Sequence, residues 1–222
     1  MKITGLIGSP CEHGNVDLLV SQVLEGATTQ GAETRKVYLN NLEIQPCQSC
    51  GTDPHPKHCL YDDDVSQIYN ALETSDAIVL GSPVCFDTVS AQVKLMIDRS
   101  NCLMPYVEKE DGTFAFERRL KKQKKGIFIA VSGTDQDYNA ILATIKGFFN
   151  WTNTTLTETI YYAHDDNELG SVKNDQTIMK HAFELSQDLR TQHRIARLVS
   201  EAIEDCNSSE GRTSFNCFFR QE

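Results

Sequence analysis

Two stretches of this chain carry residue types and spacings that can do chemistry. The first is Gly8-Ser9-Pro10-Cys11-Glu12-His13-Gly14-Asn15-Val16. An apolar run, Ile3 to Ile7, precedes it, and Val16, Leu19, Val20, Val23 and Leu24 follow at helical spacing. A strand that turns sharply into a helix leaves backbone N–H groups unpaired at the turn. With the positive end of the helix dipole, those donors make an anion site. Ser9 and Asn15 add side-chain donors, and Gly14 lets a phosphate come close; the plain alternative is an ordinary strand–helix turn. Neither G-x-G-x-x-G nor a glycine-rich loop ending in Lys-Ser/Thr is present, which argues against a dinucleotide fold and an NTPase.

The second stretch runs from Cys47 to Cys59 and holds Cys47, Cys50, Asp53, His55, His58 and Cys59. Three thiols and an imidazole make a Cys3His zinc set conceivable. Without a metal, Cys47 and Cys50 read as a redox dithiol or as plain thiols. The other five cysteines, Cys11, Cys85, Cys102, Cys206 and Cys217, read as small apolar filler.

The elements that must position these stretches alternate between strand and helix. After the first helix, Gly31 reads as a C-cap and 34–39 as a second strand. Residues 40–61 form a long loop, and Asp62 caps a helix whose Val65, Ile68 and Leu72 face inward. Ala77 to Gly81 is a third strand, 82–87 a loop, and Thr88 to Asn101 a helix. An arm over 103–125 ends in Lys121-Lys122-Gln123-Lys124-Lys125, read as a solvated basic segment leading into a fourth strand, Ile127 to Val131. The loop 132–135, a helix near 137–150, a fifth strand over 155–162 and a long amphipathic helix over 175–205 complete the order. Alternation of this kind predicts an α/β fold: a doubly wound five-stranded parallel sheet with helices on both faces. In such a sheet ligands sit beyond the carboxyl ends of the strands, where loops 9–16, 82–87 and 132–135 all fall. One domain over 1–205 and a tail over 206–222 are expected.

Lys+Arg 21 against Asp+Glu 31 gives a net charge of −10, which disfavours nucleic acid and anionic membranes as partners. No apolar run approaches the roughly 20 residues that span a bilayer. The chain enters its first strand directly, so no signal peptide is expected, and a cytoplasmic protein with reduced thiols is.

Gly8-Ser9-Pro10…Gly14-Asn15, Gly81-Ser82-Pro83-Val84-Cys85-Phe86 and Lys94…Asp98-Arg99 together resemble the NADPH-dependent FMN reductase family of flavodoxin-like proteins. The cysteine loop and the Asp-Asp after it resemble that family's iron–sulfur flavoprotein branch. The resemblance implies a flavodoxin-like sheet, one FMN per subunit, and a homodimer or homotetramer. It implies that Ser9, Asn15 and the N–H of Val16 hold the FMN phosphate, with Cys11 in the same loop. Pro83, Val84, Cys85, Phe86 and Asp87 would pack along the flavin ring, and Ser132 and Gly133 would close its other side. Cys85 replaces the family's usual aromatic residue, leaving Phe86 as the aromatic nearby. Of the branch's Cys-x2-Cys-x2-Cys…Cys ligand slots, Cys47, Cys50 and Cys59 fill the first, second and fourth, and Asp53 stands in the third. A 4Fe–4S cluster is thereby implied, with zinc or no metal as the other readings of the loop. Apart from the resemblance, Lys94, Asp98 and Arg99 read as a charged helix face on which Asp98 and Arg99 brace neighbouring loops.

FMN needs one dianion site, an apolar slot and backbone donors near its polar edge, and it carries the redox chemistry itself, so no catalytic acid or base is assigned. The expected function is an FMN-dependent oxidoreductase passing electrons from NAD(P)H or ferredoxin to an acceptor, with or without an iron–sulfur cluster. The alternative is a non-enzymatic flavodoxin-like electron carrier. A flavin- or metal-binding sensor is a third class, without a basic surface for DNA to support it.

Overall fold

Ile3 and Ile7 are buried on one side of the first strand and Leu6 on the other. The same division recurs in the third strand, with Ala77 and Val79 opposite Ile78 and Leu80, and in the fourth, with Ile127 and Ile129 opposite Phe128 and Ala130. Strands apolar on both faces belong inside a sheet covered above and below. The structure, a computed structural model, describes residues 1–51, 58–134, 136–164, 168–186 and 189. Asp53, His55, Asp135, Cys206, Cys217, the tail 206–222 and the expected helix beyond 189 lie outside these residues.

The central strands are β1 (Lys2–Ile7), β2 (Glu33–Tyr38), β3 (Ala77–Cys85), β7 (Lys124–Ser132) and β8 (Thr154–Ala163). They run parallel in the order β2-β1-β3-β7-β8, so the switch point falls between β1 and β3. The first helix, α1 (Asn15–Thr29), and a helical stretch over 176–186 (α5) cover one face. The other face carries α2 (Val65–Thr74), α3 (Ala91–Arg99) and α4 (Asn139–Trp151). The expected five-stranded doubly wound sheet is the fold observed. No helix among the described residues is long and apolar enough to cross a membrane.

Three expectations need correction. Residues 82–87 are not a simple loop: β3 continues to Cys85 and pairs antiparallel with β4 (Thr88–Val89). Phe86 and Asp87, both at positive φ, form the turn, and β-branched Val84, Thr88 and Val89 favour the pairing. The helix after it therefore starts at Ala91 rather than Thr88, with Ser90 as its N-cap accepting from Val93 N–H. In α2 it is Asp63, not Asp62, whose carboxylate accepts from the first-turn N–H of Val65, at 3.2 Å.

The third correction concerns the arm. Residues 106–116 form a small hairpin of β5 (Tyr106–Glu108) and β6 (Phe114–Phe116), anchored by buried Leu103 and Leu120. The basic run beyond it is not uniformly solvated, because Lys124 and Lys125 already belong to β7. Lys124 is buried, and its Nζ donates to the Lys122 carbonyl at 3.0 Å. The strand's alternation assigns that position to the interior whatever residue occupies it.

Candidate functional site

The three loops expected to hold a ligand do converge at the carboxyl edge of the sheet. Gly8 N–H donates to the Gly81 carbonyl at 2.8 Å, and Ser90 Oγ donates to the Gly8 carbonyl at 2.7 Å. The start of the first loop is thus locked to β3 and to the first turn of α3. A Cβ on Gly8 would lie 2.2 Å from Val93 and 2.9 Å from the Gly81 carbonyl, so no larger residue fits this junction. Pro83 pairs with Val131, which brings the third loop beside the second.

Within the first loop, Ser9 Oγ accepts from Cys11 N–H at 3.1 Å, leaving its own proton to donate. Cys11 is exposed, Val16 buried, and Gly14 is the N-cap of α1. The N–H groups of Asn15, Val16 and Asp17 open the helix and have no intrahelical acceptor. Those donors, beside a tight turn and a hydroxyl, fit a phosphate. Asn15 itself does more than face the loop. Its Oδ1 accepts from Val172 N–H at 3.0 Å and its Nδ2 donates to Ser171 Oγ at 3.4 Å. Gly170, at φ +69, packs so closely that a Cβ would stand 2.5 Å from the His13 carbonyl. Residues 170–172 are therefore the outer support of the first loop.

A buried carboxylate also stands at this helix start. Asp17 accepts from His13 N–H at 2.8 Å, from Lys36 Nζ at 3.0 Å and from the Tyr38 hydroxyl at 3.1 Å. Burial alone would raise its pKa, but the His13 N–H and Lys36 more than offset that and hold it below the usual carboxylate value. With Lys36 balancing the charge, Asp17 stiffens the loop without opposing a bound anion. Lys36 and Tyr38, two apart on one strand, are the sequence signal from which this cluster could have been found.

On the other side of the site, Cys85 and Phe86 are exposed at the hairpin turn, Pro83 and Val84 are half-buried, and Asp87 closes the turn. Ser132 Oγ donates to the Thr134 carbonyl at 2.7 Å and accepts from the Tyr138 hydroxyl at 2.8 Å. Tyr138 packs on Tyr161 with ring centroids 4.4 Å apart, and Gly133 is exposed. The two tyrosines back the 132–134 loop, a support that strand and helix patterns did not reveal.

The cysteine loop is not part of this cluster. It lies at the far end of α3, whose nine residues span about 13 Å. There a cavity of about 510 Å3 is lined by Cys47, Cys50, Cys59 and Cys102, with Tyr106, Phe116 and Trp151 among its walls. Arg99, expected to brace loops, does so. It is buried, bonds Asp63 at 2.6 Å and the Gln45 carbonyl at 2.7 Å, and donates to Cys59 Sγ at 3.3 Å. Asp98 braces no loop in this way and pairs with Lys94 at 2.7 Å on the exposed face. Burial pushes the Cys102 thiol up to about 11, so without a metal it stays protonated. Among the described residues, no three His, Cys, Asp or Glu side chains converge where a single metal ion would sit. A four-iron cluster is a different demand, since each thiolate would take its own iron around a volume, and four cysteines lining one cavity are the residue types of that donor set.

Comparison with known proteins gives the same frame. The family model for NADPH-dependent FMN reductase matches residues 1–167. An iron–sulfur flavoprotein of Methanosarcina thermophila is 38% identical over 100 residues, 45% of this chain and 52% of that protein. One from Methanocaldococcus jannaschii is 41% identical over 103 residues, 46% of this chain and 53% of its own length. The chain thus spans about half the length of these curated relatives. Among solved structures, a flavone reductase is similar in fold, with a TM-score of 0.60 at 20% identity, covering 96% of this chain and 66% of that one.

Proposed function

This chain belongs to the NADPH-dependent FMN reductase family, and we propose that it is an FMN-dependent oxidoreductase. One observation carries the reading: the open first turn of α1, with Ser9 beside it, lies at the switch point, and the β3 hairpin and the loop after β7 share the same edge of the sheet. Ser9, the N–H groups of Asn15 and Val16, and the loop at Cys11 hold the phosphate. Pro83, Val84, Cys85, Phe86 and Asp87 flank one side of the ring, and Ser132 and Gly133 the other. Bound FMN would supply hydride and one-electron chemistry. The chain's own residues bind and orient it: Ser90 and Asn15 brace the phosphate loop, and Tyr138 sets the Ser132 hydroxyl. Electrons come from NAD(P)H or ferredoxin, and the cavity of Cys47, Cys50 and Cys59 holds an iron–sulfur cluster. The protein is proposed to be cytoplasmic, where thiols stay reduced.

Flavin released from the purified protein is expected to run as FMN, because the sequence offers one phosphate-loop motif and no second such motif for a pyrophosphate. The protein should oxidise NADH or NADPH in steady state with an artificial acceptor. FAD in the extract would sink the site assignment. FMN without nicotinamide oxidation would favour ferredoxin as donor, or the carrier reading.

The subunit is proposed to assemble as a homodimer or homotetramer through the 103–125 arm. Tyr106, Phe114 and Phe116 on its hairpin are exposed and pack on one another, an apolar patch of the kind interfaces cover. Light scattering at micromolar concentration should report at least twice 24.9 kDa, and a clean monomer would refute the assembly.

A further inference from the structure

Four cysteines line one cavity, yet only three of them belong to the cysteine loop. The fourth, Cys102, comes from the 3-10 turn Ser100–Leu103 that follows α3. It is joined to Cys59 through one residue. Arg99 Nη2 donates to Cys59 Sγ at 3.3 Å, and Cys102 Sγ donates to the Arg99 carbonyl at 3.2 Å. Tyr69 adds a second hold, donating to that carbonyl at 2.6 Å with its hydroxyl 3.1 Å from Cys102 Sγ. Arg99 is clamped by Asp63 and the Gln45 carbonyl, so these two sulfurs are presented by a buried, hydrogen-bonded post. The Arg99 guanidinium beside Cys59 also offsets the charge that thiolates bring into a partly apolar cavity.

We propose that Cys102, and not Asp53, completes the ligand set of an iron–sulfur cluster with Cys47, Cys50 and Cys59. The inference rests on the reading of this cavity as a cluster site. Thiolate suits sulfur-bound iron better than a hard carboxylate does, so a chain with aspartate in the loop's third slot gains a competent ligand from elsewhere in the fold. Each thiol gives up its proton on binding, and no change of oxidation state is needed at the ligands. The pairing is invisible in the loop's own spacing, because Cys102 lies on the turn after α3, where Tyr69 of α2 holds it.

The test is anaerobic reconstitution of the protein with equal amounts of ferrous and ferric iron and with sulfide. Iron and acid-labile sulfide per subunit are read in wild type, Cys102→Ala, Cys59→Ala and Asp53→Ala. Wild type and Asp53→Ala should both approach four irons. Cys102→Ala should fall to three or fewer, as Cys59→Ala does, with FMN content unchanged. If the alanine variant loses FMN or fails to fold, Cys102→Ser keeps a hydroxyl for the Tyr69 and Arg99 contacts. It should lose iron or shift the cluster's visible absorption, since oxygen replaces sulfur on one iron. Full iron with an unaltered spectrum in Cys102→Ser overturns the proposal, as does iron loss in Asp53→Ala with Cys102→Ala fully loaded. A wild type that takes up no iron overturns the cluster reading itself, and this inference with it.

Discussion

Asp63→Ala is expected to cost about 3–5 kcal/mol of folding free energy, because it strands a buried guanidinium. Arg99 is only 2% exposed, and its Nε already lacks a hydrogen-bond partner. Asp63 takes both of its other nitrogens, Nη1 at 2.6 Å and Nη2 at 3.1 Å. The same carboxylate accepts from Gln45 N–H at 2.9 Å and Val65 N–H at 3.2 Å. One side chain therefore ties the cysteine loop's entry, the start of α2 and the end of α3. Denaturant unfolding of wild type and variant measures the difference, and a loss under about 1 kcal/mol, the range of an exposed ion pair, would refute this account. The effect has a pH signature. Burial by itself raises the pKa of Asp63, but the Arg99 bond and the two N–H groups hold it below the ordinary carboxylate value. A depressed carboxylate stabilises the fold above its unfolded pKa of about 3.9, and that contribution is lost as pH falls through the folded value. The gap between wild type and variant should be flat from about pH 7 to pH 5 and close below about pH 4.

Lys124→Met should act in the opposite direction. Burial drives the ammonium's pKa down to about 8, and the neighbouring charges of Lys122 and Arg118 push the same way. A fall from 10.5 to about 8 corresponds to on the order of 3 kcal/mol of penalty at neutral pH. Methionine keeps most of the apolar stem and removes the charge, giving up the bond to the Lys122 carbonyl. The expected net gain is about 2–3 kcal/mol, or roughly 5–10 °C in Tm for a domain of this size. The sign with pH follows from the lowered pKa. Below about pH 8 the lysine is charged in both states and its cost is whole; between about 8 and 10.5 the folded chain releases a proton that the unfolded chain keeps. Wild-type stability rises through that window, so the variant's advantage should shrink there. A variant no more stable than wild type at pH 7 would show that the amine is better accommodated than its burial implies.

The order of elements, the doubly covered sheet and the three loops at its carboxyl edge were legible in the sequence because each rests on local periodicity. Ile3 to Ile7 and Ile127 to Val131 alternate between two apolar faces, and Val16 to Leu24 repeats at helical spacing. A strand that must be buried and a helix that must cover it leave little choice of topology. Loop chemistry at 8–16 was legible for the same reason, since a helix start exposes its donors whatever surrounds it. Tertiary structure alone decided which distant side chains share an environment. Asn15 reaches Ser171 and Val172, Asp17 reaches Lys36, Arg99 reaches Asp63, and Cys102 comes to the cavity of Cys47, Cys50 and Cys59. Lys124, read as solvated from its basic neighbours, is buried because β7 begins before the charge run ends. Charge runs and isolated cysteines have no period, so their surroundings are set by which non-adjacent segments the sheet and its helices bring into contact.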